Sequence, residues 1–451
     1  MRERGRAGAL DRLLGLAAAP PAALAALLLG AGVFAYYVSR LHLGAVWPLT
    51  PRGDAAILYG YAHAILARGG YAPAEIFPYS PSAVLMFGAL GAGGPALFAA
   101  LWLLLMAAGL AASIAGALAQ ERPALKGAWP LFAALALVVA NGPIGWDLRN
   151  ANTNLVYLGL TTAGYALLGR RPTLAGVLIG LGVSLKLYSG LIILWLLVNG
   201  PRRGFFGAVA SVLLLWLALP ALIFGPAGLV RLYAGWQAQI RHISDIAIQA
   251  ALAAGAAGPP IVTLRKAIAD LTGGGFGAAA TLRWLYGLWA IWIGALGLYA
   301  WRWRTGFPVG APSRAALADF VVILLAPLPV SPWLEPYHAI PLLAAALLLA
   351  LEAADAHCTS PSRLAAGLAL GVLAFFAVVN TPFALRGFAL FAQFLAVVLA
   401  LAYLRPRLQA APPNGPPVID LKRLLPMFPA SQPGPAAHDS RPESPAGLIE
   451  T

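Results

Sequence analysis

Carboxylates are rare in this chain, and one of them stands where it can take part in chemistry. Only 16 of the 451 residues are Asp or Glu. Asp54 follows Gly53 and opens an Ala-rich stretch that ends at Gly69-Gly70, which predicts a short helix with Asp54 at its start. A carboxylate in this position acts as an N-cap for the backbone N–H groups, as a general base that accepts a proton, or as both.

Lys186 is the second residue with a chemical role to weigh. It lies between two short apolar stretches, 173–186 and 188–199, and basic turns precede and follow the pair. We therefore expect a hairpin that carries Lys186 at the end away from those turns. There the ammonium either binds an anionic oxygen or extends to the membrane interface as long basic side chains do.

Other polar and aromatic side chains fall in segments expected to share this side of a membrane. Besides Lys186, the cationic candidates for an anionic group are Arg241 and His338, although His338 beside Pro336 and Tyr337 equally suits a structural role. Asp147 and Arg149 are expected only to pair with each other at a surface turn, and Glu335 is likewise expected to be a surface residue of minor importance. The candidates for contacting a substrate are Tyr61, Tyr79, Asn152, Asn154, Tyr188, Asp245 and Gln249.

The elements that must position these residues are membrane helices. Hydrophobic residues make up 60% of the chain and charged residues 10%, with a mean hydropathy of +0.79. Ala- and Leu-rich runs such as 95–118 and 205–224 meet the roughly 20 residues that a membrane-spanning helix needs. Alternating apolar and polar residues, the pattern of membrane strands, are absent from the sequence. The fold class is therefore predicted as an all-α polytopic membrane protein.

The distribution of arginines predicts how the chain is threaded through the membrane. Short basic clusters between the apolar runs mark the cytoplasmic side and place both termini there, with roughly twelve crossings. The predicted parts are a basic N-terminus at 1–20, a membrane domain at 21–405 with outer loops at 41–78 and 225–280, and a Pro-rich disordered tail at 406–451. Outer juxtamembrane helices are expected in the loops.

Several function classes are excluded by the same composition. The net charge of +14 is divided among turns between spans, so no nucleic-acid surface is expected. The one cysteine, Cys358, has no partner for a disulfide or a metal site. The sequence contains neither an Asp-x-Asp motif nor a Gly-rich phosphate loop. No cofactor is expected.

The order of short motifs resembles glycosyltransferase family 87, the polyprenyl-phosphate-mannose-dependent α-1,2-mannosyltransferases and their relatives, which have the GT-C fold. The resemblance covers roughly residues 20–405. The motifs that carry it are Gly53-Asp54 with Tyr61, Tyr71 and Phe77-Pro78-Tyr79-Ser80-Pro81; Ala151-Asn152-Thr153-Asn154-Leu155; Arg170-Arg171-Pro172 with Ala175-Gly176, Gly180-Leu181-Gly182 and Lys186-Leu187-Tyr188; and Ser331-Pro332-Trp333 with Tyr337-His338. The chain departs from the family with Ala151 for Gly, Asn152 for Gln, Ser189 for Pro, and Ser244-Asp245 to Gln249 where an Asn-Gln-Ser stretch is usual.

The resemblance implies an enzyme that moves a sugar, with mannose expected, from a polyprenyl-phosphate donor to a lipid or glycan hydroxyl outside the cell membrane. Asp54 is then the catalytic base, and Lys186, Arg241 and His338 bind the donor phosphate. A transporter or flippase for a lipid-linked solute is the alternative from another class, and it predicts charges at mid-membrane depth and internal symmetry. A GT-C enzyme that transfers arabinose or another sugar is a third possibility.

Overall fold

A computed structural model describes residues 53–72, 77–119, 129–252, 262–271, 278–303, 313–331, 334–354, 359–379 and 385–410. These residues form helices and short turns, and no strand occurs among them, which confirms the all-α prediction for the described part. The predicted N-terminal segment and nearly all of the predicted tail lie outside it. The helices are α1 (Asp54–Arg68), α2 (Pro81–Gly91), α3 (Pro95–Leu118), α4 (Trp129–Val139), α5 (Asn141–Asn150), α6 (Asn154–Leu167), α7 (Pro172–Leu185), α8 (Leu191–Asn199), α9 (Arg202–Leu213), α10 (Leu219–Leu252), α11 (Leu264–Leu271), α12 (Ala278–Trp303), α13 (Arg314–Leu325), α14 (Leu342–Ala354), α15 (Ser360–Val378) and α16 (Arg386–Ala410).

The described helices include segments long and apolar enough to cross a bilayer. By length and composition there are six such segments in the described part: Pro95–Leu118, Arg202–Ile246, Ala280–Arg302, Pro336–Ala353, Ser360–Ala377 and Arg386–Leu408. Three shorter apolar helices accompany them, at Pro81–Gly91, Pro172–Leu185 and Leu187–Asn199. The chain is therefore a multi-pass membrane protein, while the expected total of about twelve crossings stays a prediction.

Backbone contact through glycines sets the direction of α7 and α9. A Cβ added at Gly176 would lie 2.0 Å from the carbonyl oxygen of Gly204, and one added at Gly180 would lie 2.7 Å from that of Ala208. The residue numbers of these contacting pairs increase in the same direction along both helices, so α7 and α9 run parallel. Because they are parallel, α8 between them runs back, and the chain reverses in the short turn that contains Lys186.

A second close pair, α3 with α6, is also parallel. A Cβ added at Gly109 would lie 2.4 Å from the carbonyl oxygen of Leu155, and one added at Gly116 would lie 2.7 Å from that of Thr162. Small residues allow helix backbones to approach this closely in membranes, where burial of apolar area adds little to association. The first turn of α6 therefore lies beside the middle of α3. The last turn of α7 meets that first turn of α6 toward one end of the bundle, because a Cβ added at Gly182 would lie 3.3 Å from the carbonyl oxygen of Tyr157.

The opposite end, here called the arginine end, holds the turns with Arg170, Arg171, Arg202 and Arg203. Two buried ion pairs lie toward this end. Arg314 bonds Glu352 at 2.5 Å, and Arg405 bonds Asp319 at 2.9 Å. Tyr299 donates a further hydrogen bond of 2.6 Å to Asp319. A charge that is buried without its partner is costly, so each member of these ion pairs requires the other.

The surface and the centre of the bundle match a membrane setting. All six leucines of α14 are buried, so this helix runs through the core. By contrast, α12 exposes Trp284 and Trp301. Their positions in the helix are separated by about 26 Å at 1.5 Å per residue, near the roughly 30 Å of a hydrocarbon core, and tryptophans favour its two interfaces.

Candidate active site

Asp54 lies at the first turn of α1 and points to a neighbouring turn of the chain. The residue in the N-cap position is Gly53, with a φ of 53°, and it makes no side-chain cap, so the expectation that Asp54 caps the helix is wrong. Instead, the amide nitrogen Nδ2 of Asn152 donates a hydrogen bond to Oδ2 of Asp54. The carboxylate is half-buried. It is held in place and still open to an incoming hydroxyl group.

The turn between α5 and α6 supplies a chain of amide hydrogen bonds behind Asp54. Nδ2 of Asn154 donates to Oδ1 of Asn152 at 2.9 Å and to Oδ1 of Asp147 at 2.7 Å. The other oxygen of Asp147 accepts the backbone N–H of Leu155 at 3.0 Å. Asp147 is fully buried. The expected surface pair between Asp147 and Arg149 is therefore wrong, and the guanidinium of Arg149 lies over the ring of Trp146 instead.

Lys186 lies next to this turn, where α7 ends. Its Nζ is 5.2 Å from the centroid of the Tyr79 ring. The hydroxyl of Tyr79 donates to Oδ1 of Asn152 at 3.5 Å and lies 3.4 Å from that of Thr153. The side chain of Lys186 is half-buried. Its ammonium thus shares the neighbourhood of Asn152 with the carboxylate of Asp54, instead of extending away from the protein.

Tyr188 and His338 complete one side of the site. The hydroxyl of Tyr188 donates to Oδ1 of Asn154 at 3.2 Å, and its ring lies 6.1 Å from the ring of His338. Nδ1 of His338 accepts the backbone N–H of Glu335 at 2.9 Å, which leaves Nε2 to carry the proton of the neutral ring. Glu335, expected as a minor surface residue, is buried here and acts electrostatically on Lys186.

The segment that carries Tyr79 is tied to two helices. The hydroxyl of Ser80 donates to the carbonyl oxygen of Ser184 at 3.2 Å, near the end of α7. From α10, Trp236 donates to the carbonyl oxygen of Pro78 at 3.2 Å. Tyr61 packs its ring 5.6 Å from that of Phe77. Tyr61 therefore packs against the segment, and its contact with a substrate stays a prediction.

The candidate residues of the 225–280 region belong to α10. Gly225, with φ 69°, breaks α10, and the following part of the helix carries Arg241 and Asp245 as exposed side chains. Within the described residues, no hydrogen bond or ion pair joins either of them to Asp54 or Lys186. The side chain of Gln249 lies outside the described part. Their proposed roles in binding phosphate and substrate stay predictions.

Burial and opposite charge act against each other on three groups, none of which belongs to the six spanning segments. Burial raises the pKa of Asp54, while the bond from Asn152 and the charge of Lys186 counteract it. Burial also raises the pKa of Asp147 to about 6 against its hydrogen bonds to Asn154 and Leu155. Burial lowers the pKa of Lys186 to about 8, against the attraction of Asp147, Asp54 and Glu335. At neutral pH, Lys186 is mostly a cation.

This arrangement suits proton transfer beside an anion. A half-buried carboxylate with a raised pKa can accept a proton near neutral pH, and a lysine beside it can hold a phosphate oxygen. In the described residues no group of three or more His, Cys, Asp or Glu side chains is placed to hold a metal ion. The structure brings together Asp54, Tyr79, Asn152, Asn154, Lys186, Tyr188 and His338, and it adds Asp147, Thr153 and Glu335.

Gly53 should be essential for placing Asp54. Its φ of 53° lies in the left-handed region, and an added Cβ would lie 2.8 Å from the carbonyl oxygen of Asn150. We expect Gly53→Ala to cost about 1–3 kcal/mol in stability and to pull Asp54 away from Asn152. Thermal unfolding in detergent and transfer rates measure the two effects. Gly60→Ala, inside α1 and with open space around its Cβ, is the matched control: it should leave the transfer rate unchanged and stabilise the protein by about 0.5–1 kcal/mol.

Ala151 is a position where this chain departs from the family motif at a physical cost. It has a φ of 50° and a ψ of 47° at the end of α5, a conformation that favours glycine. We expect Ala151→Gly to raise the free energy of unfolding by about 1 kcal/mol without reducing activity. Thermal unfolding of the two proteins side by side checks this. A lower melting temperature for the glycine variant would contradict the assignment of strain.

Comparison with known proteins gives one match, to a family model. The model for glycosyltransferase family 87 matches residues 77–332. This range contains Tyr79, Asp147, Asn152 and Lys186, while Asp54 precedes it. No curated protein and no solved structure matched the chain. The matched range is more than half of the sequence, and with the membrane helices around the Asp54–Lys186 site it shows that the chain belongs to glycosyltransferase family 87, as a membrane glycosyltransferase.

Proposed function

We propose that this enzyme transfers a sugar, mannose in the first instance, from a polyprenyl-phosphate donor to a hydroxyl group of a lipid or glycan acceptor. The observation that carries the proposal is the gathering of Asp54 and Lys186 around Asn152. Each of the two charges influences the pKa of the other group. A carboxylate and an ammonium so placed serve the two ends of such a reaction, the acceptor hydroxyl and the leaving phosphate.

The proposed reaction is a direct displacement at the sugar C1 carbon. The acceptor oxygen forms a bond to C1 while its proton moves to the carboxylate of Asp54. The bond between C1 and the phosphate oxygen breaks, and its electron pair stays on the polyprenyl phosphate beside Lys186. The sugar passes through a state resembling an oxocarbenium ion, by analogy with glycoside hydrolysis. Attack opposite to the leaving phosphate inverts the anomeric centre.

The two carboxylate oxygens of Asp54 have different proposed roles. Oδ2 accepts the bond from Asn152. Among the described residues, Oδ1 has no hydrogen-bond partner, so it is the oxygen offered to the acceptor. The amide bond to Oδ2 favours the ionised carboxylate before the reaction, and burial favours the protonated one that forms during it. The bond from Asn152 thus holds the ionised base ready, and the raised pKa increases its affinity for the proton of the acceptor.

The site is proposed to face the outside of the cell. It lies at the end of the bundle opposite to the arginine end, and short loops rich in arginine mark the cytoplasmic side of membrane proteins. Nucleotide sugars are confined to the cytoplasm, so a sugar donor on the outer face must be carried by a lipid. That location also agrees with the absence of a nucleotide-sugar motif from the sequence.

A transfer assay with purified protein tests the proposal. Radiolabelled polyprenyl-phosphate mannose, polyprenyl-phosphate arabinose and a nucleotide sugar are each incubated with the protein and a total lipid extract, and the labelled products are identified. We expect product from a polyprenyl-phosphate sugar only. Product from the nucleotide sugar alone would overturn the donor assignment, and equilibrating transport of intact donor across a vesicle membrane without any product would favour a transporter.

A further inference from the structure

Asp147 is a buried carboxylate that the proposed reaction does not use. Its side chain is fully buried at the end of α5, with one oxygen on the backbone N–H of Leu155 and the other on Nδ2 of Asn154. Neither partner carries a charge. Burying an ionisable carboxyl group against neutral donors is costly, and the opposing charge that acts on Asp147 is Lys186, a residue of the proposed site, which points to a role for Asp147 in that site.

The hydrogen bonds of Asp147 lead directly to the proposed base. Asn154 donates one N–H to Asp147 and the other to Oδ1 of Asn152, and its own oxygen accepts the hydroxyl of Tyr188. Asn152 then donates from Nδ2 to Asp54. Every link is a side-chain hydrogen bond. Two carboxylates from different parts of the sequence are thereby joined through two amide groups.

An amide side chain can bind in either of two senses, because its oxygen and nitrogen ends have similar shapes. An ionised carboxylate removes that choice, since it only accepts hydrogen bonds. Asp147 therefore requires the NH₂ end of Asn154. The second N–H of that group and the backbone N–H of Thr153, at 2.9 and 2.6 Å, both require the oxygen end of Asn152, which leaves the NH₂ end of Asn152 facing Asp54.

We infer that Asp147 is a positioning residue for sugar transfer: it fixes the sense of Asn154, whose N–H strengthens the orientation of Asn152 that gives Asp54 a donor on Oδ2 and leaves Oδ1 to the acceptor hydroxyl. The inference rests on the proposed role of Asp54 as the base. The other charged groups that face this network are Lys186 and Glu335. Tyr79, Tyr157 and Tyr188 surround it as neutral phenols.

Substitution of Asp147 by asparagine should reverse the amide of Asn154, while the backbone N–H of Thr153 keeps Asn152 in its present sense. The amide at position 147 must turn its oxygen to the N–H of Leu155, so its NH₂ group faces Asn154. Asn154 then has to present its oxygen there and turns its NH₂ group away from Asn152. The bond to Asp54 weakens, which favours the protonated carboxyl. A residue acting through its negative charge alone would have the opposite effect, because removing an anion makes Asp54 easier to ionise.

A labelling experiment measures this effect without relying on turnover. An apolar carbodiimide modifies carboxyl groups in their protonated form, and mass spectrometry of the Asp54 peptide gives the modified fraction at each pH. For Asp147→Asn and for Asn154→Ala we expect the midpoint of Asp54 modification to move about one pH unit upward. In the double variant the midpoint of Asp54 modification should move no further than in Asn154→Ala, because both changes interrupt the same series of hydrogen bonds. Asn154→Ala decides the matter by itself if Asp147→Asn fails to fold.

Asp319→Asn is the matched control, since it replaces another fully buried carboxylate toward the arginine end. It should lower thermal stability and leave the Asp54 midpoint unchanged. An unchanged or lowered midpoint in both Asp147→Asn and Asn154→Ala would overturn the inference. Transfer assays distinguish failure of the proposed base from failure of the role of Asp147. Full activity in Asp54→Asn would overturn the proposed base, whatever the midpoints show. An inactive Asp54→Asn, with unshifted midpoints in Asp147→Asn and Asn154→Ala, would overturn only the role of Asp147.

Discussion

Asp54→Asn should reduce sugar transfer by about 10²–10⁴-fold, the usual contribution of a positioned general base. The change keeps the size of the side chain and removes only its ability to take the proton of the acceptor hydroxyl. Because the amide can still bond Asn152, the fold should be retained. The rate is measured with radiolabelled polyprenyl-phosphate sugar under conditions where the wild-type product forms linearly.

The comparison needs a substitution of the same kind elsewhere. Asp319→Asn should lower the melting temperature while keeping transfer per folded molecule near the wild-type value. Full activity in Asp54→Asn membranes would show that the carboxylate accepts no proton in the reaction. In the wild type, kcat/KM should rise with pH through the raised pKa of Asp54, because only the ionised form is a base.

Replacing Lys186 should give the second large effect. Lys186→Ala removes the cation proposed to sit beside the leaving phosphate, and we expect a loss of about 10²–10³-fold, as for other deleted donors to a developing negative charge. The wild-type enzyme should also lose kcat/KM as pH rises through about 8, since the ammonium is then deprotonated. Rates between pH 6 and pH 10 measure both expectations.

Lys186→Arg separates charge from shape. A guanidinium stays protonated across this range, so the variant should keep part of the activity and lose the alkaline decline. An alkaline decline at the same pH in Lys186→Arg would assign it to another group. Arg149→Lys serves as a basic control nearby, since the guanidinium of Arg149 lies over Trp146, and it should leave the pH profile unchanged.

The membrane fold was predictable from the sequence in kind, and less so in detail. Apolar length identifies helices such as α3 and α16 directly, because the bilayer requires about 20 residues of helix. Apolar length does not identify α7 and α8, which are too short to span, but the basic turns on either side predicted their reversal around Lys186. The close packing of α7 against α9 through glycines such as Gly176 with Gly204 was not predictable, because a contact between distant positions leaves no periodic signal.

The site was predictable where a residue type alone implies chemistry. Asp54 and Lys186 stand out because charges are rare in this chain. Asp147 was missed because Arg149 follows it closely and a surface pair looked sufficient. One signal was available: residues two apart in a helix do not face each other, so in α5 the pair cannot form directly. The partner of Asp147, Asn154, lies beyond a left-handed turn that propensities do not reveal.

The aliphatic side of α8 has a consequence for how such an enzyme is supplied. Leu187, Leu191 and Leu194 are exposed immediately after Lys186, and Val198 is 74% exposed farther along. These exposed aliphatic side chains face the lipid next to Lys186. We therefore expect the proposed donor to reach the site by lateral diffusion within one leaflet. Turnover should then follow the mole fraction of donor among the surrounding lipids, and diluting the vesicles with buffer should leave it unchanged.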